Sequence, residues 1–141
     1  MSKADLAESL FNSSDICSCA QSVLCAFEED IGLSKETLMK MSSAFGGGIA
    51  ATRGPCGAVS GMCMAAGLLH GYENCESEEL KWAFYGCIEE LLNEFKARNY
   101  DTITCSVLRE SPRAEEIDKR NCTKYVRDAA ELLETKDFKG I

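Results

Sequence analysis

Apolar residues recur at spacings of three and four along most of this chain, the signature of helices with one buried face. Between Asp15 and Ile31 the stripe is Ile16, Cys19, Ala20, Val23, Leu24 and Phe27, with Ser14 or Asp15 as N-cap and Gly32 as stop. Ser34 opens a second helix with Glu36 in its first turn and Leu38, Met39 and Met41 as apolar positions, ending near the glycines at 46–48. Pro55 suits the first turn of a third helix whose stripe is Val59, Met62, Cys63, Ala66 and Leu69 and which Gly71 ends. Ser77, followed by Glu78 and Glu79, starts a long fourth helix carrying Leu80, Ala83, Phe84, Cys87, Ile88, Leu91, Leu92 and Phe95. The stretch 99–120 is polar and mixed, with a short turn of helix at Ser106 to Glu110, a break at Pro112 and another turn at Ala114 to Lys119. Asn121 then caps a last helix with Val126, Ala129, Ala130, Leu132 and Leu133 inward.

No convincing alternating strand appears, and every stripe needs a partner to bury it. The expectation is an all-α bundle of about five helices with a Gly-rich helix–helix connection. The 141 residues, 45% of them hydrophobic, are read as a single domain over 1–141, with 1–14 an N-terminal segment. A net charge of -8 repels polyanions, which argues against nucleic acid and anionic lipid as partners. No apolar run approaches the roughly 20 residues that cross a bilayer, and the opening MSKADLAESLFNSSD has no export signal. A cytoplasmic protein without membrane insertion is expected.

The glycine-rich segment raises the first chemical question. Gly46-Gly47-Gly48-Ile49-Ala50-Ala51 satisfies G-x-G-x-x-A, a form of the dinucleotide fingerprint. That mechanism needs a strand entering the turn, a helix starting inside it and an acid on a following strand. Here a helix enters and another follows, and no Gly-Lys-Ser/Thr makes a Walker loop. The glycines read instead as the end of one helix and a close turn into the next.

Nine cysteines, an odd number, in a chain read as cytoplasmic point to buried thiols, ligands or redox groups rather than structural disulfides. Cys56 follows Gly54-Pro55, so it belongs in the first turn of the third helix, where free N–H groups, the helix dipole and nearby Arg53 lower a thiol pKa. Cys122, with Lys119, Arg120 and Lys124 around it, has the same helix-start placement, and Cys105 precedes the Ser106 turn. On a helix Cys17 and Cys19 lie about 200° apart, so they cannot share a face or ligate one metal; Cys19 is on the apolar stripe and Cys17 off it. Cys63 and Cys87 fit core stripes, Cys25 is ambiguous, and Cys75 reads as an exposed loop thiol. The spacings match no zinc finger, C-x-x-C or ferredoxin run, so a four-thiol site would have to be assembled from separate helices. His70, the single histidine, ends the third helix as a cap or surface residue, which leaves no Cys-His pair and no His-based zinc site. The acids Glu28, Glu29 and Asp30, and Glu76, Glu78 and Glu79, read as solvated helix ends, and the methionines 39, 41, 62 and 64 as packing.

The stretch CAQSVLCAFEEDIGLSKETLMKMSSAFGGGIAATRGPCGAVSGMCMAAGL, a later cysteine and then NCTKYVRDAAELLE resemble the redox-active protein family labelled C-GCAxxG-C-C over about residues 15–135. Its features fall on Cys19, on Cys56 with Gly57, Ala58 and Gly61, on Cys105 and on Cys122. The order Gly-Cys-Ala in the label is here Gly54-Pro55-Cys56-Gly57-Ala58. The resemblance implies a small helical protein working with an oxidoreductase or transporter system, and it promotes Cys19 from core to site. Two readings of the four cysteines follow. In the first they do thiol–disulfide chemistry with Cys56 as attacking thiolate; in the second the same four bind a metal, zinc or an iron–sulfur cluster, for electron transfer. A third makes the chain a non-catalytic structural or interaction module.

Overall fold

In the computed structural model, which describes residues 1–110, 122–139 and 141, four helices start at a serine, Ser2, Ser18, Ser34 or Ser77, whose hydroxyl accepts from the N–H three residues on. The described residues form eight helices and no strand: α1 (Lys3–Asn12), α2 (Cys19–Ala26), α3 (Glu28–Ile31), α4 (Lys35–Ser42), α5 (Gly57–His70), α6 (Glu78–Arg98), α7 (Cys105–Arg109) and α8 (Thr123–Thr135). The all-α class holds, and the count exceeds the expected five for three reasons. Residues 1–14 carry a helix of their own, the expected helix from Asp15 to Ile31 begins late and is broken at Phe27, and the short turn expected at Ser106 to Glu110 is a separate helix, α7. The turn expected at Ala114 to Lys119, the Pro112 break and the Asn121 cap lie outside the described residues.

The late start of α2 has a clear cause. Ser18 Oγ accepts from the Gln21 N–H at 3.2 Å, and the Gln21 Oε1 accepts from the Ser18 N–H at 3.0 Å, a reciprocal capping box. The helix therefore starts at Cys19, and Ile16, expected on its buried face, is 86% exposed. Gln21 Nε2 also donates to Met39 O at 3.1 Å, which ties α2 to α4. Helix α2 sits centrally, touching α1, α4, α5 and α8, with Ala20, Val23 and Leu24 buried. Burying Val23 and Leu24 contributes about 1.5–3 kcal/mol each.

α1 escaped the periodicity reading because its stripe is mostly alanine. Ala4, Ala7 and Phe11 are buried against α8 and α2, while Arg127 of α8 pairs with Asp5 at 3.0 Å and Glu8 at 2.6 Å. α6 is buried only in its C-terminal half, at Leu91 and Phe95; Leu80, Trp82 and Tyr85 in the first half are exposed. The end of α6 is held by buried Asn99, which donates to Phe95 O at 3.0 Å and accepts from Lys124 Nζ at 2.7 Å. In α8 all five expected core residues are buried, and its Tyr125 hydroxyl donates to Leu108 O at 3.0 Å, fixing α7 against it. No helix among the described residues is long and apolar enough to cross a membrane.

The link between α4 and α5 has an unusual backbone. Residues 47–51 all have positive φ, from 47° at Ala50 to 73° at Gly48, as does Arg53 at 67°. Glycine takes this left-handed conformation freely, but at Ile49, Ala50, Ala51 and Arg53 it costs on the order of 1–2 kcal/mol each. Hydrogen bonds from Ala50 N to Ala44 O (2.7 Å), Arg53 N to Gly47 O (3.0 Å) and Gly54 N to Gly48 O (2.9 Å) hold the turn closed. No strand enters it and no helix begins inside it, so the nucleotide fingerprint has no structural counterpart here.

Candidate functional site

Cys56 and Cys105 meet through a single antiparallel bridge between Pro55 and Thr104. The Cys56 N–H donates to Ile103 O at 2.6 Å and the Cys105 N–H to Gly54 O at 2.7 Å. Pro55, which has no N–H, occupies the position of the bridge where none is needed. Residues one step beyond the bridge on both segments point to the same side of the pleat, so both thiols face one way. Cys105 Sγ also lies 3.9 Å from Arg53 Nη1, which the left-handed turn presents to it.

All four expected cysteines line one cavity of about 380 Å³. Each stands at a helix start: Cys19 is the first residue of α2, Cys56 the N-cap of α5, Cys105 the first residue of α7 and Cys122 the N-cap of α8. Phe11, Leu108 and Tyr125 supply apolar walls, and Asp15 and Arg109 are the charged groups among the described lining residues. All nine cysteines of the chain are free thiols.

Cys19 is seated by the glycines of the Cys-Gly-Ala-x-x-Gly stretch. A Cβ at Gly57 would collide with Cys19 Sγ, and one at Gly61 would come within 2.5 Å of Ala20 O. Gly57 and Gly61 are one turn apart on α5 and together let α2 approach closely enough to bring Cys19 beside Cys56. Gly48 does the same for Cys105, whose Cβ would lie 2.8 Å from a Cβ placed there.

The electrostatics correct one expectation. Cys56 was to be the low-pKa attacker, yet it is only 6% exposed and burial pushes its thiol far above the ordinary range. Negative charge on Cys19 adds to that shift; the N–H groups of Val59 and Ala58 in the first turn of α5 oppose it without offsetting it. Burial also raises Cys19, against the pull of the Gly47 and Ala20 N–H groups. Cys122 is pushed up to about 11 by burial and by charge on Cys19, although Arg109 and Arg53 favour its thiolate.

Of the remaining thiols, Cys63 and Cys87, expected in the core, are only half-buried against it. Cys25 is buried in the core and Cys63 packs beside α6, each pushed up to about 11 by burial; Cys87 is half-buried and Cys75 exposed. His70 stacks on Phe138 at 4.0 Å, away from the cavity. Cys17 is the residue that sequence reasoning missed, since it lines the same cavity as the four. The signal that would have found it is the Ser-x-x-Gln capping box, which puts Cys17 outside the helix.

The metal reading of Cys19, Cys56, Cys105 and Cys122 gains nothing from this geometry. Thiolates suit zinc or a cluster, but among the described residues no group of three or more Cys, His, Asp or Glu side chains is disposed to hold a metal ion.

A helical protein with a thiol-lined cavity is the class these observations define. Residues 17–136 match the family described as putative redox-active protein (C_GCAxxG_C_C), and the chain belongs to that family. No curated protein and no solved structure matches the chain.

Proposed function

We propose that this protein carries out thiol–disulfide exchange at Cys19, Cys56, Cys105 and Cys122, cycling between dithiol and disulfide inside its cavity. The observation that carries the reading is that four thiols, each at the start of a different helix, line one cavity. Cys105 is the attacking sulfur because the Arg53 guanidinium faces it and meets the negative charge that an exchanging sulfur bears. It attacks an incoming disulfide R–S–S–R′, forming Cys105–S–S–R and expelling R′–S⁻. Cys19, whose charge couples to those of Cys56, Cys105 and Cys122, then attacks Cys105 Sγ, expels R–S⁻ and leaves a Cys19–Cys105 disulfide. The substrate gains two electrons and the protein loses two. Cys56 and Cys122 line the same cavity beside this pair. A reducing compartment such as the cytosol, supplied by a partner oxidoreductase, suits nine unbridged thiols.

The test is reduction of 2-hydroxyethyl disulfide by the reduced protein, followed by release of 2-mercaptoethanol. The wild type and a Cys75→Ser variant should react at the same rate, Cys105→Ser should lose the reaction, and Cys19→Ser should stop at the mixed disulfide. Equal rates for all four proteins would overturn the proposal.

A further inference from the structure

Cys17 stands where a thiol can serve both the cavity and the outside. Helix α2 begins only at Cys19, and Ser18 before it is extended, with φ -81° and ψ 169°. Across one extended residue, side chains i and i+2 lie on the same side of the chain, roughly 6.6 Å apart at Cα. That is at the upper edge of the spacing a disulfide spans. Cys17 and Cys19 accordingly line one cavity, where a continuous helix would have set them on opposite faces.

Exposure divides the thiols of the cavity, since Cys17, Cys19 and Cys122 are half-buried whereas Cys56 and Cys105 are buried. Cys56 and Cys105 are 6% and 7% exposed, too enclosed for another protein's thiol to reach in line with a sulfur–sulfur bond. Cys17 is half-buried at the end of an irregular segment, residues 13–18, whose Ile16 projects into solvent. The Cys17 Sγ lies 3.3 Å from Ser22 Oγ, and the Ser22 hydroxyl donates to Ser18 O at 2.7 Å. With that hydrogen engaged, the Ser22 oxygen presents lone pairs to the Cys17 S–H and tethers the thiol to a buried residue of α2.

We infer that Cys17 is a fifth redox thiol, the one that passes the cavity's disulfide to an external protein dithiol. This rests on the exchange chemistry proposed above. Cys17 gives up its proton to solvent and attacks Cys19 Sγ of the Cys19–Cys105 disulfide. The Cys17–Cys19 bond forms as the Cys19–Cys105 bond breaks, and the electron pair leaves on Cys105 Sγ, facing Arg53, where a solvent proton restores the thiol. The external dithiol then attacks Cys17 Sγ, expels Cys19 and closes its own disulfide on releasing Cys17. It loses two electrons, and this protein returns to its reduced form.

The experiment compares wild type with Cys17→Ser, each first oxidised by 2-hydroxyethyl disulfide. Each is then reduced either by a thioredoxin-type protein dithiol or by dithiothreitol, which is small enough to enter the cavity. Cys17→Ser should be oxidised as the wild type is and reduced by dithiothreitol within about twofold of it. Reduction by the protein dithiol should slow by about tenfold or more. Peptide mapping of partly reduced wild type should also show a Cys17–Cys19 link. Equal rates with the protein dithiol, and no such link, would overturn the role of Cys17 while leaving the exchange reading intact. A wild type that 2-hydroxyethyl disulfide never oxidises would overturn both.

Discussion

Gly57 leaves open the space that the Cys19 sulfur fills, because a Cβ there would collide with Cys19 Sγ and stand 2.9 Å from Phe45 O. The glycine after Cys56 thus seats a second thiol beside it, contributed by another helix. Gly57→Ala should lower stability by about 1–3 kcal/mol, the usual cost of overpacking, and should displace Cys19 from its neighbours. Urea denaturation and the rate of exchange with a small disulfide measure the two effects. An alanine variant with unchanged stability and exchange would show that the contact is not needed.

Arg53 combines a strained backbone with a charge beside Cys105. Asparagine tolerates the positive φ at this position but carries no charge. Arg53→Asn should therefore stay as stable as the wild type or gain slightly, while disulfide exchange slows by roughly tenfold. If exchange keeps its rate, the guanidinium has no part in the reaction.

Ile49 is β-branched, left-handed at φ 70° and 44% exposed, so its side chain offers little packing against a real backbone cost. Ile49→Asn should raise stability by about 1 kcal/mol, read as a higher urea midpoint, with exchange unaffected. A lower midpoint would mean that the side chain holds the turn together.

Burial also predicts a pH dependence. Cys25, Cys63 and Cys122 ionise at about 11 in the folded protein, against an ordinary thiol value of 9.0. The stability tied to keeping them neutral is fully present below pH 9 and is lost as pH rises toward 11, because the unfolded chain releases these protons first. Urea midpoints measured across that window should fall, and Cys122→Ser should flatten part of the fall. A midpoint that holds steady from pH 9 to 11 would contradict the burial of these thiols.

Helix α6, after its Ser77 cap, and α8, with its five inward residues, were legible from spacing, although Leu80 and Ala83 of the expected α6 stripe are exposed. So were the helix-start positions of Cys56, Cys105 and Cys122. What spacing hid was decided by other forces. Ile16 fits the stripe of α2, but the Ser18–Gln21 box starts the helix later, which changes Cys19 from a stripe residue to a helix-start thiol and brings Cys17 to the cavity. The N–H groups favouring a Cys56 thiolate were read correctly from Gly54-Pro55. Its burial depends on residues 103–105 folding back across the chain, a long-range pairing that no local pattern encodes.

The central claim is that Cys105 and Cys19 exchange disulfides with each other inside one cavity. Limited oxidation of the reduced protein by 2-hydroxyethyl disulfide, followed by alkylation and peptide mapping, tests it most directly. The account predicts a Cys19–Cys105 link as the first product, with Cys25, Cys63, Cys75 and Cys87 still alkylated. A first link that omits both Cys19 and Cys105, or complete alkylation of all nine cysteines, would contradict it.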